Sequence, residues 1–292
     1  MLFSIIIPTY NRAVLLQETI NSVISQSFQD YEIIIVDDGS TDNTVEIIKP
    51  LLSNKLKYFY KANEERSIAR NFGADNAIGK YLIFLDSDDK MKEDHLSSIY
   101  DFICKQTEEP KFIFAGYTIL NPNKTLLYEY GVSGFFNANK LFYGNFLGCS
   151  SIIIDKILFQ QHYFSTNRNL ILFEDWELWL RVIASNRLSC FPGKSILMIN
   201  HSGRSVLNHG TRELSDKIVH FKDHMLKNSI TINKSLYHRQ TFLMGLYSYA
   251  SLHIAMTKTS PGVALKFLFL SIINNPMILF KRRFFGIIKQ LL

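Results

Sequence analysis

Beyond Asp223 the chain contains no aspartate or glutamate, yet nine of its 32 lysines and arginines lie there, so residues 1–223 carry −3 while the whole stands at +6. That imbalance directs the last part of the chain towards an anionic surface, membrane or nucleic acid, rather than towards the substrate of a mildly acidic body. Nucleic acid is disfavoured, because no recognised binding motif for it is present. Cysteine is scarce: Cys104, Cys149 and Cys190 are far apart and form no C-x-x-C pair. Neither a disulfide framework nor a zinc site is thereby suggested, and a reducing cytoplasm is predicted. Long apolar runs are also lacking. The first, Met1 to Pro8, has no basic region before it and is too short for a signal peptide or a membrane span; it reads as a strand. Neither G-x-G-x-x-G nor a Walker sequence occurs, which removes support for the usual dinucleotide and P-loop readings.

What the chain does have is 292 residues that are 47% hydrophobic and 20% charged, enough for a sizeable core. Its most informative stretch is Tyr81-Leu82-Ile83-Phe84-Leu85-Asp86-Ser87-Asp88-Asp89, an apolar run stopping at carboxylates. The run suits a strand buried on both faces. Asp-x-Asp at the carboxyl end of such a strand offers oxygen ligands to a hard divalent cation, Mg²⁺ or Mn²⁺, which in turn holds a diphosphate. A solvated turn is the plainer reading of the same residues.

Upstream, residues 3–7 and 32–36 are β-branched runs, the first broken at Pro8-Thr9-Tyr10-Asn11-Arg12 and the second ending in Asp37-Asp38-Gly39-Ser40-Thr41-Asp42. Helical spacing of Leu16, Ile20, Val23 and Ile24 follows the first, with Asn11 available as a cap. Further helices are predicted over 44–52, 67–78 and 92–104, and strands over 56–60, 111–120 and 151–154. Strand and helix alternate through short connections, so a doubly wound, mainly parallel α/β sheet with helices on both faces is predicted. Its βα junctions would gather on one edge, where Tyr10 can stack on a base and Asp38 can accept a hydrogen bond from a ring N–H. Asp38 as only a turn or capping residue is the plainer, less favoured reading.

Taken together, Pro8-Thr9-Tyr10-Asn11-Arg12, Val36-Asp37-Asp38-Gly39-Ser40-Thr41-Asp42, Ala69-Arg70-Asn71-x-Gly73 and Phe84-Leu85-Asp86-Ser87-Asp88-Asp89 resemble, in this order, the family 2 glycosyltransferases of the GT-A fold. The close resemblance covers roughly the first 90 residues and a weaker one continues to about residue 205. It implies a nucleotide-sugar donor, usually a UDP-sugar, a divalent cation (Mn²⁺ or Mg²⁺) and inversion at the anomeric carbon. On this resemblance Pro8, Thr9 and Tyr10 line a base pocket, Asp38 bonds the uracil, and Arg66 or Arg70 supports the base or diphosphate. Asp86 reaches the ribose or the metal, and Asp88 ligates the metal.

A second carboxylate centre is Phe173-Glu174-Asp175-Trp176, opening a helix in which Trp176, Trp179, Leu180 and Ile183 share a face. Acidic residues at a helix N-terminus complement its dipole and need no further role. Inverting transfer, however, requires a carboxylate to take the acceptor hydroxyl proton. Glu-Asp-Trp resembles the base motif of the family, which makes Asp175 the expected general base. His201 and Arg204, after a short strand over 196–199, are candidates for the metal shell or the diphosphate, and each is also an ordinary loop residue. Residues 121–150, rich in Asn, Gly, Phe and Tyr, suit a loop that covers donor or acceptor.

The last third reads as helices over 235–257 and 261–273 and a final one opened by Pro276. There Met277, Phe280, Phe284, Ile287, Ile288 and Leu291 face away from Lys281, Arg282, Lys289 and Gln290. This pattern describes an interfacial helix at an anionic membrane, with Phe267, Phe269 and Phe285 accompanying the cations. A helical pair docked on the body is the alternative. Lys266, Asn274, Asn275 and Pro276 interrupt the apolar run, so no transmembrane span is predicted.

The expected organisation is a catalytic domain over 1–223, with a nucleotide-binding half over 1–90 and an acceptor-binding half over 91–223, followed by a basic helical extension over 224–292. The expected activity is transfer of a sugar to a hydroxyl of a glycan or lipid-linked saccharide in cell-surface polysaccharide synthesis, at the cytoplasmic face of a membrane. A sugar nucleotidyltransferase would show a Gly-rich, Arg-containing loop where Pro8–Arg12 stands. A non-catalytic homologue would have lost a carboxylate, and Asp38, Asp86, Asp88 and Asp175 are all present.

Overall fold

The computed structural model describes residues 1–132, 136–201 and 210–292. They fall into two compact units, one of Met1–Phe136, Leu147–Thr166 and Asn186–His201, the other of Asn137–Phe146, Asn167–Ser185 and Ser202–Leu292.

The first unit is built on a sheet. Strands β1 (Phe3–Thr9) and β2 (Tyr31–Asp37) are buried along their whole length and pair in parallel with Ile5 beside Ile33, Ile6 beside Ile34 and Ile7 beside Ile35. Removing these six isoleucine side chains from water contributes on the order of 10 kcal/mol. β3 (Leu56–Tyr60) extends the parallel set beyond β2, and β4 (Tyr81–Phe84) extends it on the other side of β1. The remaining strands are β5 (Asp89–Met91), β6 (Phe112–Leu120), β7 (Leu126–Tyr130), β8 (Ile152–Asp155) and β9 (Ser189–Ile199). The order is β3-β2-β1-β4-β8-β6-β9-β5, with β7 pairing β6. The sheet is mixed rather than parallel throughout: β8 enters between β4 and β6 antiparallel to both, and parallel pairing returns only between β6 and β9.

Helices α1 (Ala13–Ile24), α2 (Thr44–Ile48), α3 (Arg66–Asp75), α4 (His95–Cys104) and α5 (Lys156–Gln160) belong to this unit. The expected helix over 44–52 is cut at Ile48 and finished by a 3-10 turn, Lys49–Leu51, that contains Pro50. α3 approaches β1 and β2 closely because Gly73 has no side chain. A Cβ there would stand 2.4 Å from Ile6 Cγ2 and 3.2 Å from Val36 Cγ2.

The second unit is helical: α6 (Glu174–Val182), α7 (Thr211–Asn228), α8 (Ile230–Asn233), α9 (Leu236–Thr257), α10 (Pro261–Asn274) and α11 (Arg282–Leu291). α7, α8, α10 and α11 all pack on α9. α7 was not anticipated, although Leu214, Ile218, Phe221 and Met225 form its buried face at helical spacing. The final helix expected from Pro276 is instead two pieces. Pro276–Phe280 is a 3-10 turn, Lys281 is extended, and α11 begins at Arg282. The expected common face is therefore interrupted, with Ile287 buried and Phe280 78% exposed. Phe267 is also buried and does not join the exposed aromatics. Among the described residues no helix is long and apolar enough to cross a membrane.

Candidate active site

The chain leaves β1 in one direction, through β2 to β3, and in the other reaches β4, so the order of strands reverses beside β1. At such a switch point the connections that follow adjacent strands diverge and open a crevice at their carboxyl ends. Residues 10–12 follow β1 and residues 85–88 follow β4. Pro8 and Thr9 are still buried strand residues, whereas Tyr10 is 48% exposed.

Asp86, Asp88 and Asp89 bring one carboxylate oxygen each to within 4.8 Å of one another. Three carboxylates this close repel unless cations or donors offset them. Arg70, 2% exposed, donates from Nη2 to Asp86 Oδ1 at 2.7 Å. Arg12 Nη1 donates to Asp88 Oδ2, and His201 Nε2 lies 3.0 Å from that same oxygen. Ser150 Oγ donates to Asp89 Oδ2 at 2.6 Å and accepts from the Asp86 N–H at 3.1 Å. Asp89 is thus tied to the neighbouring strand end, while Asp86 and Asp88 meet the cationic side chains. Carboxylate oxygens with an imidazole beside them suit a hard divalent ion such as Mn²⁺ or Mg²⁺.

The loops beneath Tyr10 are knitted together by side chains. Asn11 adopts φ +51° and does not cap α1. Its Oδ1 instead accepts from the Thr41 N–H at 2.7 Å, and its own N–H donates to Ser40 Oγ at 2.9 Å. The N-terminus of α1 is served from the other loop, where Asp42 Oδ2 accepts from the Ala13 N–H.

Asp38 is buried. Its Oδ1 accepts from Lys61 Nζ at 2.8 Å and from the Glu64 N–H at 3.0 Å, and its Oδ2 from the Glu65 N–H at 2.8 Å. Glu65, held this way at φ +86°, is the residue from which α3 starts. Asp38 therefore sets the origin of the helix that carries Arg66 and Arg70. A carboxylate has about four acceptor positions, so three occupied ones leave room for a further N–H. Burial works against the charge on Lys61, but its bonds to Asp38 and Glu64 outweigh that and raise its pKa.

In the helical unit, Asp175 occupies the first turn of α6. Trp176 and Trp179 are fully buried and fix that helix, with Phe173 stacked on Phe221 at 4.7 Å. Of the two carboxylates that open α6, Glu174 is buried and Asp175 is half-buried. Asp175 Oδ1 accepts from the Trp176 N–H at 2.7 Å and Oδ2 from Asn145 Nδ2 at 2.8 Å. Trp176 Nε1 in turn donates to Leu141 O at 2.8 Å.

Of the residues expected from sequence, Asp86, Asp88, Arg70 and His201 meet at the end of β4, while Pro8 and Thr9 close β1, Tyr10 and Asp38 lie on the loops after β1 and β2, and Arg66 opens α3. Asp175 belongs to the other unit. Arg204 lies outside the described residues. Arg12 and Ser150 were missed as partners of the carboxylates. Arg12 stood inside a quoted motif, but nothing in local spacing signals Ser150, which lies 61 residues from Asp89.

Known proteins are similar to this chain. An uncharacterised glycosyltransferase of Rickettsia felis is 36% identical over 190 residues, covering 63% of this chain but only 31% of its own length, so the chain spans about a third of that relative. The Escherichia coli enzyme named UDP-Glc:alpha-D-GlcNAc-diphosphoundecaprenol beta-1,3-glucosyltransferase WfgD is 28% identical over 189 residues, 64% of this chain and 72% of its own. In three dimensions, S. aureus TarS 1–349 in complex with UDP-GlcNAc superposes with a TM-score of 0.57 at 18% identity, over 95% of this chain and 91% of TarS, which shows a shared GT-A fold. The description "Glycosyl transferase family 2" matches residues 4–151, a stretch that begins in β1 and ends just past Ser150, and on that match the chain belongs to glycosyl transferase family 2.

Proposed function

We propose that the protein is an inverting glycosyltransferase that takes its sugar from a UDP-sugar and hands it to a hydroxyl of a glycan or lipid-linked saccharide in cell-surface polysaccharide synthesis. The observation that carries this reading is the convergence of Asp86 and Asp88 with Arg12, Arg70 and His201 at the sheet's switch point. Acid and base side chains there suit a metal-bound diphosphate, and the E. coli relative is named for a UDP-sugar donor and a diphosphoundecaprenol-linked acceptor.

In this reading Tyr10 stacks on the base and Asp38 accepts the uracil N–H with its remaining acceptor position. Arg66 and Arg70 stand on α3 to serve the base or the diphosphate. Asp88 and Asp86, with His201, would hold Mn²⁺ or Mg²⁺, and the ion would supply positive charge against the diphosphate of the departing UDP. Asp175 is the general base: it takes the proton of the acceptor hydroxyl as that oxygen bonds to the anomeric carbon and the bond from carbon to the diphosphate oxygen breaks. The products are the inverted glycoside and UDP, with the proton on Asp175.

Peripheral contact with an anionic membrane belongs to the same proposal. Phe269, Phe280 and Phe285 are exposed on the last helices among Lys266, Lys281, Arg282 and Lys289, and no acid follows Asp223. A lipid-linked acceptor at the cytoplasmic face gives that surface its purpose.

The test is turnover of UDP-glucose and UDP-N-acetylglucosamine with Mn²⁺ and an undecaprenyl-diphosphate saccharide, reading UDP and pyrophosphate separately. UDP release that falls at least about 10²-fold in Asp175→Asn supports the proposal. Pyrophosphate as the product would instead identify a nucleotidyltransferase.

A further inference from the structure

The 3-10 turn Ala138–Tyr143 and the residues just after it are fastened to the start of α6 at two points. Leu141 O accepts from Trp176 Nε1, and Asn145 Nδ2 donates to Asp175 Oδ2. Between those points lie Tyr143 and Gly144, and there the segment is gripped by a cation from the far end of the sequence. Arg283 Nη1, in the first turn of α11, donates to Tyr143 O at 2.9 Å, to Gly245 O at 3.2 Å and to Ser248 Oγ at 3.1 Å.

Two glycines make this grip possible. Gly144 has φ +150°, and a Cβ on it would come within 2.6 Å of Arg283 Nη2. Gly245 of α9 faces the same segment, where a Cβ would stand 2.4 Å from Phe142 O. The backbone of 142–144 is thus pressed between α9 and a guanidinium, with no side chain intervening. An arginine placed against carbonyl oxygens in a partly buried site loses hydration, so it stays only where several acceptors replace the water. Tyr249 reports that the two ends of the arrangement share one environment. Burial pushes its hydroxyl pKa up, Asp175 and Glu174 push it further, and Arg283 pulls it back.

We propose that Arg283 is a positioning residue for Asp175: it holds Tyr143 and Gly144 in place so that Asn145 fixes the carboxylate in one orientation. The proposal rests on the reading of Asp175 as the general base. It assigns to the last helix, which carries the exposed cations and aromatics, a second duty on its inner face.

Full-length Arg283→Gln, Arg283→Lys, Asn145→Ala and the Asn145→Ala/Arg283→Gln double variant test it. Two readouts are taken: UDP released from UDP-glucose and UDP-N-acetylglucosamine with Mn²⁺ and an undecaprenyl-diphosphate saccharide as acceptor, and the indole N–H resonances of Trp176 and Trp179, the chain's two tryptophans. In Arg283→Gln the expected result is a kcat lowered at least tenfold with donor KM within twofold, and a Trp176 indole resonance that moves while that of Trp179 does not. Arg283→Lys, which keeps a donor for the carbonyls, recovers part of both. The double variant is no slower than the slower single one, because both substitutions release the same carboxylate.

An Arg283→Gln protein with wild-type kcat and an unmoved Trp176 resonance overturns the proposal, as do losses that multiply in the double variant. If Arg283→Gln does not fold, Gly144→Ala takes its place, since the added methyl must displace the guanidinium, and an unmoved Trp176 resonance again overturns it. Asp175→Asn separates the two readings. Full turnover in that variant sinks the base assignment, whereas the indole readout still reports whether Arg283 holds the segment.

Discussion

His201 Nε2 lies 3.0 Å from Asp88 Oδ2, the oxygen that Arg12 also reaches. The two residues are 113 positions apart, and β9, which ends at Ile199, brings the histidine back to the end of β4. Asp88 is thus met by both an imidazole and a guanidinium.

For His201 the account predicts that replacement by alanine weakens Mn²⁺ support of UDP binding by about 10-fold or more, the usual cost of losing a ligand's partner. Protein stability should hardly change, because the side chain is only partly buried. Calorimetric titration of UDP over a range of Mn²⁺ concentrations measures this. An unchanged Mn²⁺ dependence would leave His201 as a loop residue that happens to touch Asp88.

Ser150→Ala removes both the donor to Asp89 Oδ2 and the acceptor of the Asp86 N–H in a fully buried position. The expected cost is about 1–3 kcal/mol of stability, accompanied by weaker metal-dependent UDP binding as Asp86 loses its anchor. Denaturant midpoints together with the same titration check it. A stability loss without any change in UDP binding would separate the serine from the site.

His95 is fully buried with Nδ1 2.6 Å from Ser195 Oγ, and burial lowers its pKa from 6.5 to about 4, against a small opposing pull from Asp94. Below pH 6.5 the unfolded chain binds a proton there that the native state refuses. The stability that this neutral histidine supports is complete above that pH and is lost as pH falls towards 4. Between pH 7 and 4.5 the wild type should lose about 2–3 kcal/mol more than His95→Gln, as read from urea unfolding at both pH values. Parallel losses in the two proteins would contradict the assignment.

The exposed aromatics of the helical unit make a prediction about vesicles. Replacing Phe269, Phe280 and Phe285 together by serine should lower sedimentation with phosphatidylglycerol vesicles at least tenfold, since each ring contributes about 1.5–3 kcal/mol when buried. Raised salt should weaken the wild type as well, because its cations are screened. Equal sedimentation of the two proteins would remove the membrane from the account.

Much of the first unit was legible in the chain. Strands such as Phe3–Thr9 and Tyr31–Asp37 announce themselves through apolar runs that end in loop-forming residues, and Leu56–Tyr60 falls where its composition puts it. The carboxylates after β4 were likewise readable, since a strand end fixes where its next residues emerge. What could not be read was pairing across long separations. The insertion of β8 between β4 and β6, the bond from Ser150 to Asp89, and the clustering of residues 137–146 and 167–185 with the last helices depend on tertiary packing. Asn11 illustrates the competition. Its position before α1 suggested a cap, but a left-handed backbone turned its side chain to Thr41 instead. In the last segment, the helical period of Met277 to Leu291 was real, yet Lys281 is extended and breaks it into two pieces.

The proposed nucleotide site depends on a divalent ion at Asp88. The measurement that tests it most directly is calorimetric titration of UDP into the wild type and Asp88→Ala, with and without Mn²⁺, with GDP and ADP as comparisons. The account predicts Mn²⁺-dependent binding that prefers UDP and is lost in Asp88→Ala while the variant remains folded. Equal UDP binding by both proteins, or no binding of any nucleoside diphosphate by folded wild type, would contradict it.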